Sequence, residues 1–149
     1  MCVISKSYTF AASHRLPNHR GKCRNLHGHN YRVEVGVRSH LLNPLSDPSS
    51  DGMVIDFDDL DQIVKPLIEL LDHTHLNESL VQLIDADPSL PAVIGANMSP
   101  TAERLALLLA DRIHRALALQ FDAGQSTIRL NHVRVWETEK AYAEWRTLP

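Results

Sequence analysis

The sequence predicts an α+β domain with the element order β-β-α-α-β-β, on three observations. Two stretches near the start alternate apolar and polar residues with a period of two. Two later stretches carry apolar stripes at helical spacing, and two more strand-like stretches close the chain. Helices gathered between two pairs of strands pack on one face of a four-stranded antiparallel sheet.

Residues 2–12 make the first predicted strand, with Ile4, Tyr8 and Phe10 set against Ser5, Ser7 and Thr9. Residues 30–38 make the second. Tyr31, Val33, Val35 and Val37 face one way and Arg32, Glu34 and Arg38 the other, as in a half-buried strand. Between them, Leu16 to Arg24 is a polar loop containing Pro17 and Gly21. Residues 40–53 hold Asn43, Pro44, Asp47, Pro48 and Gly52 and read as a long turn-rich connection.

The first helix is expected from about Asp56 to Leu71, striped by Leu60, Ile63, Val64, Leu67, Ile68 and Leu71. Asp56 suits its N-cap, Asp58 and Asp59 suit its positive end, and Pro66 is expected to kink it. Residues 72–98 carry no sustained pattern. Leu80 to Ile84 reads as a short helical turn, and Pro88 and Pro91 punctuate a loop. Ser99-Pro100 reads as N-cap and first helical position of the second helix. Leu105, Leu109, Ile113, Ala116 and Leu117 form its stripe, and Gly124 ends it. Residues 126–137 and 141–148 read as the last two strands. The sheet so built has unpaired edges, which other subunits would cover.

A length of 149 residues, 44% of them hydrophobic, fits one domain spanning residues 1–149. A net charge of −3 gives no reason to expect nucleic acid as a partner. No apolar run approaches the roughly 20 residues of a membrane span. Met1 to Lys6 lacks the apolar core of a signal peptide. Two cysteines, Cys2 and Cys23, make no disulfide framework, so a reducing cytoplasm is the expected location.

The compositional anomaly is histidine. The chain has nine, and His14, His19, His27 and His29 crowd its N-terminal end. His27 and His29 are two apart, so in an extended chain both rings leave one face. His14 can add a third imidazole from a neighbouring strand. Three histidines with one coordination position open suit a catalytic zinc. Cys23 lies among Gly21, Lys22, Arg24 and Asn25, cationic surroundings that favour a thiolate. It can work beside the open position or close the site as a fourth ligand, which would make a metal-stabilised interaction module without catalysis. Asp72 next to His73 can orient an acid/base. Glu137, at a strand end, can accept two hydrogen bonds from the edge of a guanine-like ring.

These pieces fall in a recognisable order. Phe-Ala-Ala-Ser-His stands at 10–14, Cys-x-x-x-His-Gly-His-Asn at 23–30 and Asp-Phe-x-x-Leu at 56–60. Leu-Asp-His-x-x-Leu-Asn follows at 71–77, Pro-Thr-x-Glu at 100–103 and Glu-Thr at 137–138. From about Tyr8 to Tyr142 the chain resembles the 6-pyruvoyl- and 6-carboxytetrahydropterin synthases of the T-fold.

The resemblance implies His14, His27 and His29 as zinc ligands, Cys23 as catalytic thiol, and Asp72 with His73 as the proton-transfer pair. It implies Glu137 as the pterin anchor and Thr101 and Glu103 as residues of the pterin pocket. The implied substrate is 7,8-dihydroneopterin triphosphate. The implied assembly is a hexamer of two trimeric barrels with active sites at subunit interfaces. In the carboxy branch the products are 6-carboxytetrahydropterin, acetaldehyde and triphosphate, on the way to 7-deazaguanines such as queuosine. The pyruvoyl branch stops after triphosphate elimination. The gap of three residues between Cys23 and His27 is closer to the bacterial 6-carboxytetrahydropterin synthases. The stretches 40–52 and 78–99 are longer than in the compact family pattern. Arg15, Arg20, Lys22 and Arg24 carry the charge to meet a triphosphate.

Overall fold

The computed structural model describes residues 1–96, 99–121 and 127–148. All four predicted strands form, and they make antiparallel pairs. These are β1 (Cys2–His14), β2 (His27–Ser39), β4 (Arg129–Thr138) and β5 (Ala141–Arg146). The expectation of four strands needs correction. A fifth, β3 (Thr74–His75), pairs parallel with β1, so the sheet is mixed and ordered β3-β1-β2-β4-β5. Two residues are too few to show periodicity, and this strand exists because β1 offers an edge to it.

The expectation of two helices is also corrected, to four α-helices among the described residues: α1 (Phe57–Glu69), α2 (Leu76–Ala86), α3 (Leu90–Ile94) and α4 (Ala102–Phe121). The short helical turn read at Leu80 to Ile84 lies within the longer α2, and part of the stretch read as a loop forms α3, because Leu80, Leu90 and Ile94 bury against Leu108 of α4 in a small second core. Asp56 caps α1 as expected, accepting the Asp58 N–H at 2.8 Å, and the helix runs on through Pro66. The start of α4 differs. The Thr101 hydroxyl, not Ser99, accepts the Arg104 N–H (3.3 Å), so the helix begins two residues later than predicted. The expected end at Gly124 lies outside the described residues.

Both N-terminal strands run further than the alternation suggested. β2 begins at His27, so His27 and His29 continue the face that buries Tyr31, Val33, Val35 and Val37. β1 extends to His14 and pairs His14 with His27, Ala12 with His29 and Phe10 with Tyr31. The main core lies between this face and α1 and α4, with Leu60, Val64, Leu105, Leu109 and Ile113 as its helical side. No helix among the described residues is long and apolar enough to cross a membrane.

One polar cluster ties α1 to β1. The buried Asp61 accepts from the Tyr8 hydroxyl at 3.0 Å and meets Lys6 at 2.8 Å and Lys65 at 2.7 Å. Lys6 first, and then Lys65, pull its carboxyl down from 3.8 to about 2. The folded chain therefore binds this proton more weakly than the unfolded chain does. The stability so gained is present above pH 3.8 and is lost as pH falls toward about 2. Asp61→Asn is expected to be less stable than the parent at neutral pH in urea unfolding, with the gap closing across that acid window. A gap independent of pH would contradict this assignment.

Candidate metal centre and adjoining cavity

His14, His27 and His29 converge at the end of the β1–β2 ladder, and their ligating atoms all lie within 4.8 Å of one another. The register makes this meeting, since His14 stands directly across from His27 and His29 sits two residues further along the same face.

Two peptide carbonyls set the ring tautomers. His14 Nδ1 lies 2.8 Å from the Pro100 carbonyl oxygen, and His27 Nδ1 lies 2.8 Å from the Asn25 carbonyl oxygen. A carbonyl can only accept, so each Nδ1 carries the proton and each Nε2 is left with its lone pair. Those two Nε2 atoms face each other at 3.1 Å. Two acceptors at that distance repel unless a proton or a cation lies between them. Burial, and then the two neighbouring imidazoles, push His29 toward its neutral form, which is the ligating form. The donor set therefore fits a metal ion. Cys23 is not in this cluster of ligand atoms.

Cys23 instead lines a cavity of about 380 Å³ together with Thr101, Glu103 and Glu137. Four of the predicted residues, from three separate parts of the chain, are thus brought to one space. Glu137, the penultimate residue of β4, lies within electrostatic reach of His14 and His27. Burial lifts its carboxyl above the usual range, His14 and His27 oppose that, and nearby Glu103 adds to it. Burial also drives the Tyr31 hydroxyl, beneath the histidines, far up.

Asp72 and His73 are not in that cavity. The Asp72 carboxylate accepts the Ala11 N–H at 2.8 Å and lies 2.8 Å from His73 Nδ1. The Ala11 bond first, and His73 second, hold its carboxyl below the usual range. His73 has a left-handed backbone (φ 56°), pinned by its own N–H on the Ala11 carbonyl at 2.6 Å. Its side chain is 82% exposed and lines a different cavity, of about 530 Å³, with Ser13, Asn30 and His75. Within one chain the pair and the thiol therefore face different spaces.

Sequence reasoning missed three contributors. The Pro100 carbonyl orients His14, which explains why the proline precedes the helix and does not start it. His19 also lines the cavity, with Nδ1 accepting the Gly21 N–H at 2.9 Å. Asn77 hydrogen-bonds the backbone beside His14. The clustering of histidines pointed to His19, and Pro100 and Asn77 stand in the motifs at 100–103 and 71–77, but nothing in sequence signals the contacts these two make with His14 and Arg15. Of the cationic residues suggested for a triphosphate, Arg15 lines a further cavity with Asn77, while Arg20, Lys22 and Arg24 line neither cavity described above.

The chain is a member of the 6-pyruvoyl tetrahydropterin synthase family, whose family model matches residues 3–147. It is 31% identical to a 6-carboxy-5,6,7,8-tetrahydropterin synthase of Haemophilus influenzae, with 98% of this chain and 99% of that one covered. A putative 6-carboxy-5,6,7,8-tetrahydropterin synthase of Archaeoglobus fulgidus is 33% identical, covering 97% and 95%. In fold it is similar to the Caenorhabditis elegans 6-pyruvoyl tetrahydropterin synthase, with a TM-score of 0.70 at 23% identity over 99% and 96% of the chains.

Thr101 has a structural duty besides lining the cavity, because it caps α4. Thr101→Ala is expected to cost about 1 kcal/mol in denaturant unfolding, while Thr101→Ser, which keeps the hydroxyl, stays near the parent. Equal losses in both variants would show that the cap is not what the residue contributes.

Proposed function

We propose that this chain is a zinc-dependent 6-carboxy-5,6,7,8-tetrahydropterin synthase. It would convert 7,8-dihydroneopterin triphosphate and water to 6-carboxytetrahydropterin, acetaldehyde and triphosphate, a step toward 7-deazaguanines such as queuosine. The observation that carries this reading is the pair of lone-pair nitrogens 3.1 Å apart, near a cavity lined by a thiol and a buried carboxylate. The identity to relatives named for the carboxy product, over nearly the whole chain, favours that product over the pyruvoyl one.

Imidazole donors and an open fourth position suit zinc. Zinc bound there supplies a Lewis acid beside the substrate side chain. The chain's own residues do the rest. Glu137 accepts two N–H groups from the pterin ring edge, and those donors offset the burial that otherwise disfavours its charge. Thr101 and Glu103 bound the same pocket. Cys23 takes the carbon-bound proton as triphosphate leaves, and its position outside the ligand cluster supports a base over a fourth ligand.

Asp72 and His73 relay protons. Because they face away from Cys23 in a single chain, a neighbouring copy would supply them. The exposed β5 edge and the two-residue β3 give such copies somewhere to pair, in keeping with a hexamer of two trimeric barrels. Two free cysteines, Cys2 and Cys23, suit a reducing cytoplasm.

Incubation of the zinc-loaded protein with 7,8-dihydroneopterin triphosphate, followed by mass analysis, is expected to yield 6-carboxytetrahydropterin with acetaldehyde. The pyruvoyl product alone would move the chain to the other branch. Cys23→Ala is expected to keep its zinc and lose roughly 10²–10⁴-fold in turnover. Loss of zinc with the thiol would instead make Cys23 a ligand.

A further inference from the structure

We propose that Asn77 is a positioning residue for the metal centre, holding the end of β1 so that His14 reaches the other two histidines. The inference rests on the metal-centre reading above.

The residue after His14 is Arg15. Its N–H donates to Asn77 Oδ1 at 3.0 Å, and its carbonyl accepts from Asn77 Nδ2 at 3.0 Å. One carboxamide therefore takes both backbone polar groups of the residue beside a ligand. A carboxamide carries the same donor and acceptor as a peptide group, so Asn77 acts as one more rung of the ladder.

A rung is needed at that point. The β1–β2 pairing ends at His14 with His27, and the β1–β3 pairing ends at Ser13 with His75. Beyond Ser13, nothing in the β3 strand holds β1 on that side. The segment from Asp72 to Asn77 makes up the difference by running alongside β1. Ala11 is bound through both backbone groups by Asp72 and His73. Ser13 Oγ lies 3.2 Å from His75 Nδ1. Arg15 is then bound through both backbone groups by Asn77.

Asn77 is itself firmly seated. It is the second residue of α2, directly after Leu76, which is fully buried. Its side chain serves no cap of its own helix, since α2 has no side-chain cap and both amide atoms go to Arg15. The Pro100 carbonyl sets which nitrogen of His14 is free, but it grips the ring and not the strand. Asn77 grips the strand. Groups that orient a metal ligand typically change metal affinity by roughly 10–100-fold when removed.

The test is zinc affinity by competition with a chromophoric chelator, beside urea unfolding of the metal-free protein. Asn77→Ala is expected to bind zinc about tenfold more weakly while its metal-free unfolding midpoint moves little. Asn77→Asp keeps the size and the acceptor but sets an oxygen against the Arg15 carbonyl, so it too is expected to bind zinc more weakly. It carries the test should Asn77→Ala not fold. In a His14→Ala background, Asn77→Ala is expected to cause no further loss, because the effect runs through His14.

Unchanged zinc affinity in either variant, or a full additional loss in the His14→Ala background, would overturn the proposal while leaving the metal centre standing. Failure of the unaltered chain to take up zinc would overturn the metal-centre reading and this inference with it.

Discussion

The register of β1 against β2 is the constraint on which both the core and the candidate site depend. It sets Phe10 across from Tyr31, Ala12 across from His29 and His14 across from His27. Side chains alternate along a strand, so a slip of one residue would send all of one strand's inward residues to the other face. Tyr31, Val33, Val35 and Val37 are fully buried, and burying side chains of this kind is worth about 1.5–3 kcal/mol each. The slip that would separate the histidines would therefore also empty the core. Hydrophobic burial enforces a geometry that three mutually repelling imidazoles would not choose for themselves.

Around that register, separate parts of the chain each add one polar group. The turn before β2 contributes the Asn25 carbonyl, and the lead into α4 contributes the Pro100 carbonyl. These are the partners that leave two Nε2 lone pairs pointing at one spot. The start of α4 then places Thr101 and Glu103 beside the end of β4, where Glu137 sits. Lone pairs and carboxylates thus share a region set by strand and helix ends, and the thiol reaches it from the connection between β1 and β2. The Asp72–His73 pair is held as firmly, on the Ala11 backbone, but it looks the other way. A site divided in this manner is what a shared subunit interface would complete.

Much of this was legible in the sequence, for physical reasons. Period-two alternation marked β1 and β2, two strand-like stretches near the end of the chain marked β4 and β5, and the striped helices α1 and α4 followed the 3.6 period. His27 and His29 stood out because a spacing of two on a strand puts both rings on one face. What could not be read was set by tertiary contact. β3 is too short for a pattern. α2 and α3 are separated by Pro88, Pro91 stands in the first turn of α3, and both helices gain their order from a small core shared with α4. Ser99-Pro100 reads locally as a helix start, yet the proline carbonyl is held by His14 far away in the chain. Asn77 is a residue of a recognisable motif, but its partner Arg15 is visible only once β1 and α2 are side by side.

The central claim is that three imidazoles hold one metal ion while Cys23 stands apart from it. X-ray absorption at the zinc edge of the loaded protein tests this directly. The account predicts a shell of three nitrogens and one oxygen at about 2.0–2.1 Å, with no sulfur. A sulfur scatterer at about 2.3 Å would place Cys23 on the metal and contradict it.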